Sequence, residues 1–376
     1  MKMKDEDNKL DEEMNAKERL KQIARELDLR SRAADPYRLH TMTMTEIYNA
    51  VYEVRPAVIE DLLFPGLSIL VGDPKIGKSF LVLQLAYHVA SGKDLWERHV
   101  RQGDVLYLAL EDQYERLQGR LFRMFNEKDT PRLHFAIRSL QQGDGLEDQL
   151  REFLEQNHDT RLIIIDTLEK IRSETKDNGS YSHDSKFMYK LKDFADRYGI
   201  CILLVHHTRK MNGEDPFDKI NGTNGMLGGV DSAMLLTKEQ RTSDKAALLI
   251  TGRDQPDTKI EVERDHHTLG WNLIRFDNEL WYEEPDPLFL VLAEKLKETG
   301  GRWNGTATEL NTFLGTDMKP NSLSLKLNVN ASVLYHDFGI IFKRDRTGAS
   351  RQIELRLLPE KEVTVNDGHD DDSGCT

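Results

Sequence analysis

The chain has 376 residues, 38% of them apolar and 31% charged, with 52 basic against 65 acidic side chains and a formal net charge of −13. At roughly 100–200 residues per domain, this length predicts two or three domains. No apolar run approaches the ~18–20 residues of a membrane-spanning helix. The acidic balance argues against a nucleic-acid footprint over the whole surface. The charged start from Met1 to Asp7 carries no apolar signal region, and the cysteines, Cys201 and Cys375, suit neither a disulfide framework nor a cysteine zinc site. A cytoplasmic location with no membrane partner is the expectation.

Residues 1–41 form the first segment. Leu10, Met14, Leu20, Ile23 and Leu27 recur near helical spacing among interleaved opposite charges, which predicts a solvated helix or an arm that docks on a neighbouring subunit. A linker with Pro36 follows. Residues 42–284 then alternate short apolar runs with longer helical stretches. The runs are Leu67–Val71, Val105–Leu110, Leu162–Ile165, Ile200–Val205, Ser232–Leu236 and Ala246–Ile250; the helical stretches include Phe80–Ser91, Tyr114–Phe125, Gly145–Gln156 and Ser185–Tyr198. This alternation predicts an α/β domain with a parallel central sheet covered on both faces.

Gly72-Asp73-Pro74-Lys75-Ile76-Gly77-Lys78-Ser79 fits G-x-x-x-x-G-K-[ST], with an apolar strand before it and a helix from Phe80 after it. Glycines permit turns in which backbone amides point inward at phosphate oxygens, at a helix N-terminus. Lys78 is expected to contact the β- and γ-phosphates and the Ser79 hydroxyl to ligate Mg²⁺; residues 72–80 are the candidate nucleotide site.

Leu162–Ile165 runs into Asp166, the form of a strand whose acid holds the Mg²⁺ shell. Val105–Leu110 runs into Glu111 and Asp112. A carboxylate at that strand end can orient and deprotonate an attacking water, so Glu111 is the candidate base, with Asp112 as a helix cap and Glu169 as the rival base. Ile202–Val205 runs into His206 and His207 at the same edge. One histidine is expected to report on the γ-phosphate. A packed core histidine, or zinc with no further ligand nearby, are the alternatives. Residues 211–230 form a long Gly-rich connection, a length common in functional loops. Leu249–Gly252 ends in Arg253, the candidate finger supplied to a neighbour's nucleotide; Lys238 and Arg241 are rivals, and an ion pair with Asp254 is the structural alternative.

With these residues in place, the chain resembles the RecA-like hexameric ATPases. Within them it is similar to the RepA-type replicative helicases of plasmids and mobile elements, related to the DnaB class. The resemblance spans about residues 42–284. It is carried by Pro74–Ser79, the Glu111-Asp112 strand end, Ile165–Lys170, His206–Lys210 and Asn221–Gly225. It implies a RecA-like P-loop core, a homohexameric ring, ATP and Mg²⁺ bound between subunits, and translocation on single-stranded DNA. Carried over by position, Lys78 and Ser79 are the phosphate-loop pair, Glu111 the base, Asp166 the Mg²⁺ acid and His207 the sensor. The sequence departs from the family at Asn221-Gly222-Thr223, where many relatives carry Arg-Gly-Ser or Arg-Gly-Thr, which moves the finger role to Arg253. It also lacks the large amino-terminal helical collar of the DnaB kind.

Residues 285–358 lie outside that resemblance. Ten Lys/Arg against seven Asp/Glu give residues 287–358 a charge of +3, and Leu288–Thr299, Ala307–Leu314 and Asn321–Phe338 read as helices before a basic hairpin, Ile340–Lys343 with Gln352–Leu357. This order predicts a winged helix-turn-helix. Asn321–Phe338 is the candidate recognition helix, with Lys319 and Lys326 near phosphates, and Lys343, Arg344, Arg346 and Arg351 flank the wing as further candidates for duplex contact. A winged helix used for protein contacts is the other reading. Residues 359–376 carry one lysine against six acids and are expected to form a disordered tail. The expected activity is an ATP-driven motor in the replication of a plasmid, phage or integrated element; the alternative is an ATP-dependent loader or regulator that does not unwind DNA.

Overall fold

A strand buried on both faces must be apolar throughout, because successive side chains point to opposite sides. The computed structural model describes residues 39, 41–52, 54–172, 181–207, 226, 228–240, 242–253, 255, 257–277, 285–347 and 350–358, with the side chains of 181–184 and 345–351 excepted. The apolar runs behave as this rule requires. In β1 (Gly66–Gly72), β4 (Thr160–Asp166) and β5 (Cys201–His207), Leu70, Leu162, Ile164, Leu203 and Val205 enter one core, while Leu67, Ile69, Ile163, Ile165, Ile202 and Leu204 enter the other.

Helix α2 (Lys78–Ser91) seals the first core with Leu81, Leu85 and Val89. Helices α4 (Leu146–Gln156) and α6 (Tyr181–Tyr198) seal the second, with the short α5 (Leu168–Ile171) adding Leu168 and Ile171. Leu146, Leu150 and Leu154 recur every four residues along α4, the spacing that keeps a helix face on one side. The sheet has nine strands in the order β3-β2-β4-β5-β1-β6-β7-β8-β9. The six from β3 (Leu133–Ala136) and β2 (Asp104–Ala109) to β6 (Ser232–Thr237) are parallel. The remaining three, β7 (Lys245–Gly252), β8 (Thr258–Arg264) and β9 (Trp271–Asp277), are antiparallel to their neighbours. The central sheet is thus parallel-dominated rather than parallel throughout, and this arrangement fits a RecA-like P-loop core. The topology explains the site's location: β1, β2, β4 and β5 all end at one edge, so Gly72, Glu111, Asp166 and His207 meet there.

The chain divides into two compact units, residues 53–293 with 335–338, and residues 1–52 with 294–334 and 339–376. In the smaller unit, β10 (Arg302–Gly305) joins the hairpin of β11 (Ile340–Thr347) and β12 (Ser350–Leu357) in the order β10-β12-β11. Helix α8 (Ala307–Leu314) starts at Thr306, whose hydroxyl accepts from Glu309 N while the Glu309 carboxylate accepts from Thr306 N. The stretch read as one helix over 321–338 is two, α9 (Pro320–Val329) and α10 (Ala331–Phe338), separated at Asn330. Helix α1 (Met44–Asn49) belongs to this unit: Asn328 Nδ2 donates to the carbonyls of Tyr48 (3.1 Å) and Ala50 (2.8 Å). The leader 5–30, most of the Gly-rich connection 211–230 and the tail 359–376 lie outside the described residues.

Candidate functional site

The phosphate-loop motif forms the turn between β1 and α2. Its conformation needs its special residues. Gly77 sits at φ 115°, Lys75 at φ 65°, and a Cβ on Gly72 would lie 2.7 Å from the Leu236 carbonyl oxygen. Successive left-handed and helical residues aim amides into one concavity, which suits an anion. Lys78 is buried. Its ammonium donates to the carbonyls of Gly72 (2.7 Å) and Asp73 (3.1 Å) and lies 2.9 Å from His207 Nδ1. An ammonium has no acceptor, so Nδ1 accepts and the imidazole proton resides on Nε2. Burial lowers the Lys78 ammonium from 10.5 to about 8, against the pull of Asp166, Asp73, Glu169 and Glu111. Burial and the adjacent ammonium also lower His207, which keeps it neutral.

Asp166 ends β4 and is buried. Burial raises its carboxyl, while hydrogen bonds from Tyr107 (2.8 Å to Oδ2) and Ser79 and the charge of Lys78 favour the ionised form. Ser79, in the first turn of α2, faces the Asp166 carboxylate. A hydroxyl and a carboxylate side by side fit Mg²⁺, which takes one or two protein ligands and fills its shell with phosphate and water oxygens. Among the described residues no group of three acids, histidines or cysteines forms a metal cage.

Glu111 follows β2 and is exposed; the Thr167 hydroxyl donates to its Oε1 at 3.3 Å. The rival, Glu169, is committed elsewhere, with His206 Nδ1 2.6 Å from its Oε1. Burial works to raise Glu169, but the His206 contact and charge, with Thr167, bring it down to about 2. Two adjacent histidines on β5 thus take different partners, Glu169 for His206 and Lys78 for His207. Asp112 is not the helix cap. The cap of α3 (Tyr114–Phe125) is Gln113, and Asp112 instead pairs with Arg116 (3.3 Å) and Arg120 (2.9 Å), a stronger partnership than one amide.

Arg253 lies at the other edge of the sheet. Gly252 pairs with Ser232 and Ser232 with Ser68, near the start of β1, and the Arg253 guanidinium donates to Gly228 O at 2.8 Å. It is not brought to the phosphate loop of its own chain. Of its rivals, Lys238 follows β6 at the phosphate-loop edge, and Arg241 is outside the described residues. In the smaller unit, Lys343 is exposed on β11, Arg344 donates to the Asn49 carbonyl, and Lys326 is half-buried on α9. The backbones of Arg346 and Arg351 pair across the hairpin, and their side chains lie outside the described residues.

Sequence reasoning missed Tyr107 and Trp271. Tyr107 read only as a strand residue, and nothing near Trp271 resembles a motif. Trp271, at the start of β9, is fully buried with its Nε1 3.3 Å from Gly77 O, where it donates. Gln84 of α2 binds its backbone on both sides, at 2.9 and 2.8 Å.

Residues 33–213, just under half of the chain, match a family described as AAA domain. No curated protein matches the sequence. Among solved structures, the chain is similar to one described as an ATPase domain, at 11% identity and a TM-score of 0.47, over 57% of this chain and 86% of that one. It is also similar to a DnaB-like replicative helicase, from a structure describing its interactions with primase, at 12% identity and a TM-score of 0.44, over 56% of this chain and 58% of that one.

Proposed function

We propose that the chain is a Mg²⁺-dependent, ATP-hydrolysing motor that acts on DNA, of the RepA-type replicative helicase kind, working as a homohexameric ring for a plasmid, phage or integrated element. The observation that carries this reading is the convergence of Lys78, Ser79, Asp166, His207 and Glu111 on one sheet edge. In this reading Lys78 and the loop amides hold the β- and γ-phosphates, while Ser79 and Asp166 hold Mg²⁺, which neutralises charge on the phosphate oxygens. Glu111 orients a water and takes its proton as the oxygen attacks the terminal phosphorus; the bond to the ADP oxygen breaks. His207, neutral and bonded to Lys78, is placed to register the terminal phosphate and pass the change along β5 toward the Gly-rich connection 211–230. Arg253 serves a neighbouring subunit's nucleotide.

The smaller unit supports a winged-helix reading by its order of helix (α7, Pro287–Glu298), strand, helices and hairpin, and by its +3 charge. Lys326, Lys343, Arg344, Arg346 and Arg351 remain the proposed contacts to duplex DNA, while single-stranded DNA passes through the ring. A strand-displacement assay tests the proposal. Unwinding by the wild type and none by Lys78→Ala is the expected result; ATP hydrolysis without displacement would replace the helicase with a loader.

A further inference from the structure

On the side of β1 away from Asp166, Glu111 and His207, the edge of the sheet carries two cations that the hydrolysis site does not use. Lys238 follows β6, and Arg264 ends β8. Both are half-buried around the Trp271 ring, with Lys238 Nζ 5.4 Å and Arg264 Cζ 5.8 Å from its centroid. The Arg264 guanidinium also lies over Phe80, at 4.5 Å. It reaches the phosphate loop itself: a Cβ on Gly77 would meet Arg264 Nη1 at 3.3 Å. Trp271 fixes this geometry through its bond to Gly77 O and the paired bonds to Gln84.

The charges here are unbalanced. Among the described residues, Asp244 is the one carboxylate whose field favours the charge on Lys238 and Arg264, and Asp244 is itself 3.0 Å from His266 Nε2. Arg264 faces the like charge of Arg123, Lys238 faces that of Arg264, and Arg264 Nε is buried with no hydrogen-bond partner among the described residues. Half-buried like charges held together by an aromatic ring are costly unless an anion completes the cluster. The sheet order places this cluster relative to the terminal phosphate. The groups suited to the terminal phosphate (Asp166 on β4, Glu111 after β2, His207 on β5) lie on one side of β1, and Lys238, Arg264 and Trp271 lie on the other.

We propose that Lys238 and Arg264 form a second phosphate seat, in the same chain as the phosphate loop, that takes the α-phosphate of the bound nucleotide. The seat rests on the reading of residues 72–79 as a nucleotide site and adds to it. It makes affinity depend on a phosphate that ADP and ATP share, so product and substrate are held alike at this end and distinguished only at the other.

The test is equilibrium binding of ADP and ATP, each with Mg²⁺, to the full chain and to Arg264→Gln and Lys238→Gln. Charge-assisted contacts to phosphate predict that each variant weakens both nucleotides by the same factor, about tenfold, leaving the ADP/ATP affinity ratio as in the wild type. Arg264→Lys, which keeps the charge over Phe80, should recover part of the loss. Lys238→Gln gives up the Lys238 bond to the Ser243 carbonyl (2.7 Å) but leaves the Arg264 contacts to Phe80 and Gly77, so it reads the seat even where Arg264→Gln disturbs the fold. Unchanged affinities for both nucleotides in Lys238→Gln and Arg264→Gln would overturn the proposal, and so would a loss confined to ATP, which would assign the cations to the terminal phosphate. A wild type that retains neither nucleotide would instead refute the phosphate-loop reading itself.

Discussion

Lys78 Nζ donates to His207 Nδ1 across 2.9 Å, joining the phosphate loop to the end of a strand 129 residues further along the chain. The bond places a neutral imidazole against a buried ammonium: burial lowers both groups, and the ammonium's charge lowers the histidine further. In the proposed mechanism, phosphate oxygens arriving at Lys78 compete for that ammonium, which would carry the occupancy of the loop to His207. His207→Ala should leave ADP affinity within about threefold of wild type, because the imidazole is placed to read the terminal phosphate that ADP lacks, while uncoupling hydrolysis from any stimulation by single-stranded DNA. A phosphate-release assay with and without DNA measures this.

Lys78 gives a pH dependence of defined sign. Its ammonium falls from 10.5 to about 8 on folding because burial penalises the charge. Between pH 8 and 10.5 the unfolded chain therefore binds more protons at this residue than the folded one, and stability rises with pH there. Relative to Lys78→Gln, the free wild-type protein should gain melting temperature as pH rises through that window and show its full deficit below it. Nucleotide binding restores the charge, so at pH above 8 it should be accompanied by proton uptake, measurable by calorimetry in buffers of different ionisation enthalpy.

Tyr107 is fully buried and donates to Asp166, so Tyr107→Phe keeps the packing and removes one donor from a buried carboxylate. An unmet buried acceptor costs about 1–3 kcal/mol, which should appear as a lowered melting temperature. Mn²⁺ affinity in the presence of ADP, read by electron paramagnetic resonance, should weaken several-fold at the same time, because Asp166 loses the bond that fixes its orientation.

Gly77→Ala should damage the loop twice. Its φ of 115° disfavours any side chain, and the added Cβ would approach the Trp271 ring to 2.7 Å. A loss of roughly 1–3 kcal/mol in stability is expected from overpacking and strain together. ATP affinity should fall with it, and the fluorescence of Trp271 should shift to report its displacement.

The site's edge was legible because each of its strands announces itself: an unbroken apolar run such as Leu162–Ile165, then a polar residue at a fixed end. Strands β8 and β9 were not legible. Thr258–Arg264 and Trp271–Asp277 interleave charged residues because they lie at the half-solvated edge, and such patterns resemble loops. Strand β3 has only four residues, too short for a pattern. The split of α9 from α10 at Asn330 escaped notice because apolar residues continue across it, from Leu327 to Leu334. Roles that depend on contact across the sheet, such as Tyr107 on Asp166 and Trp271 under Gly77, leave no trace in local sequence. The partition of the two histidines between Glu169 and Lys78 was equally invisible, since it depends on which face of β5 each side chain takes.

The most direct test of the account is retention and turnover of radiolabelled ATP by the wild type and by Glu111→Gln in the presence of Mg²⁺. The account predicts that both retain ATP with similar affinity and that the variant releases phosphate at least roughly a hundredfold more slowly. A wild type that does not retain ATP, or a Glu111→Gln protein that hydrolyses it at the wild-type rate, would contradict it.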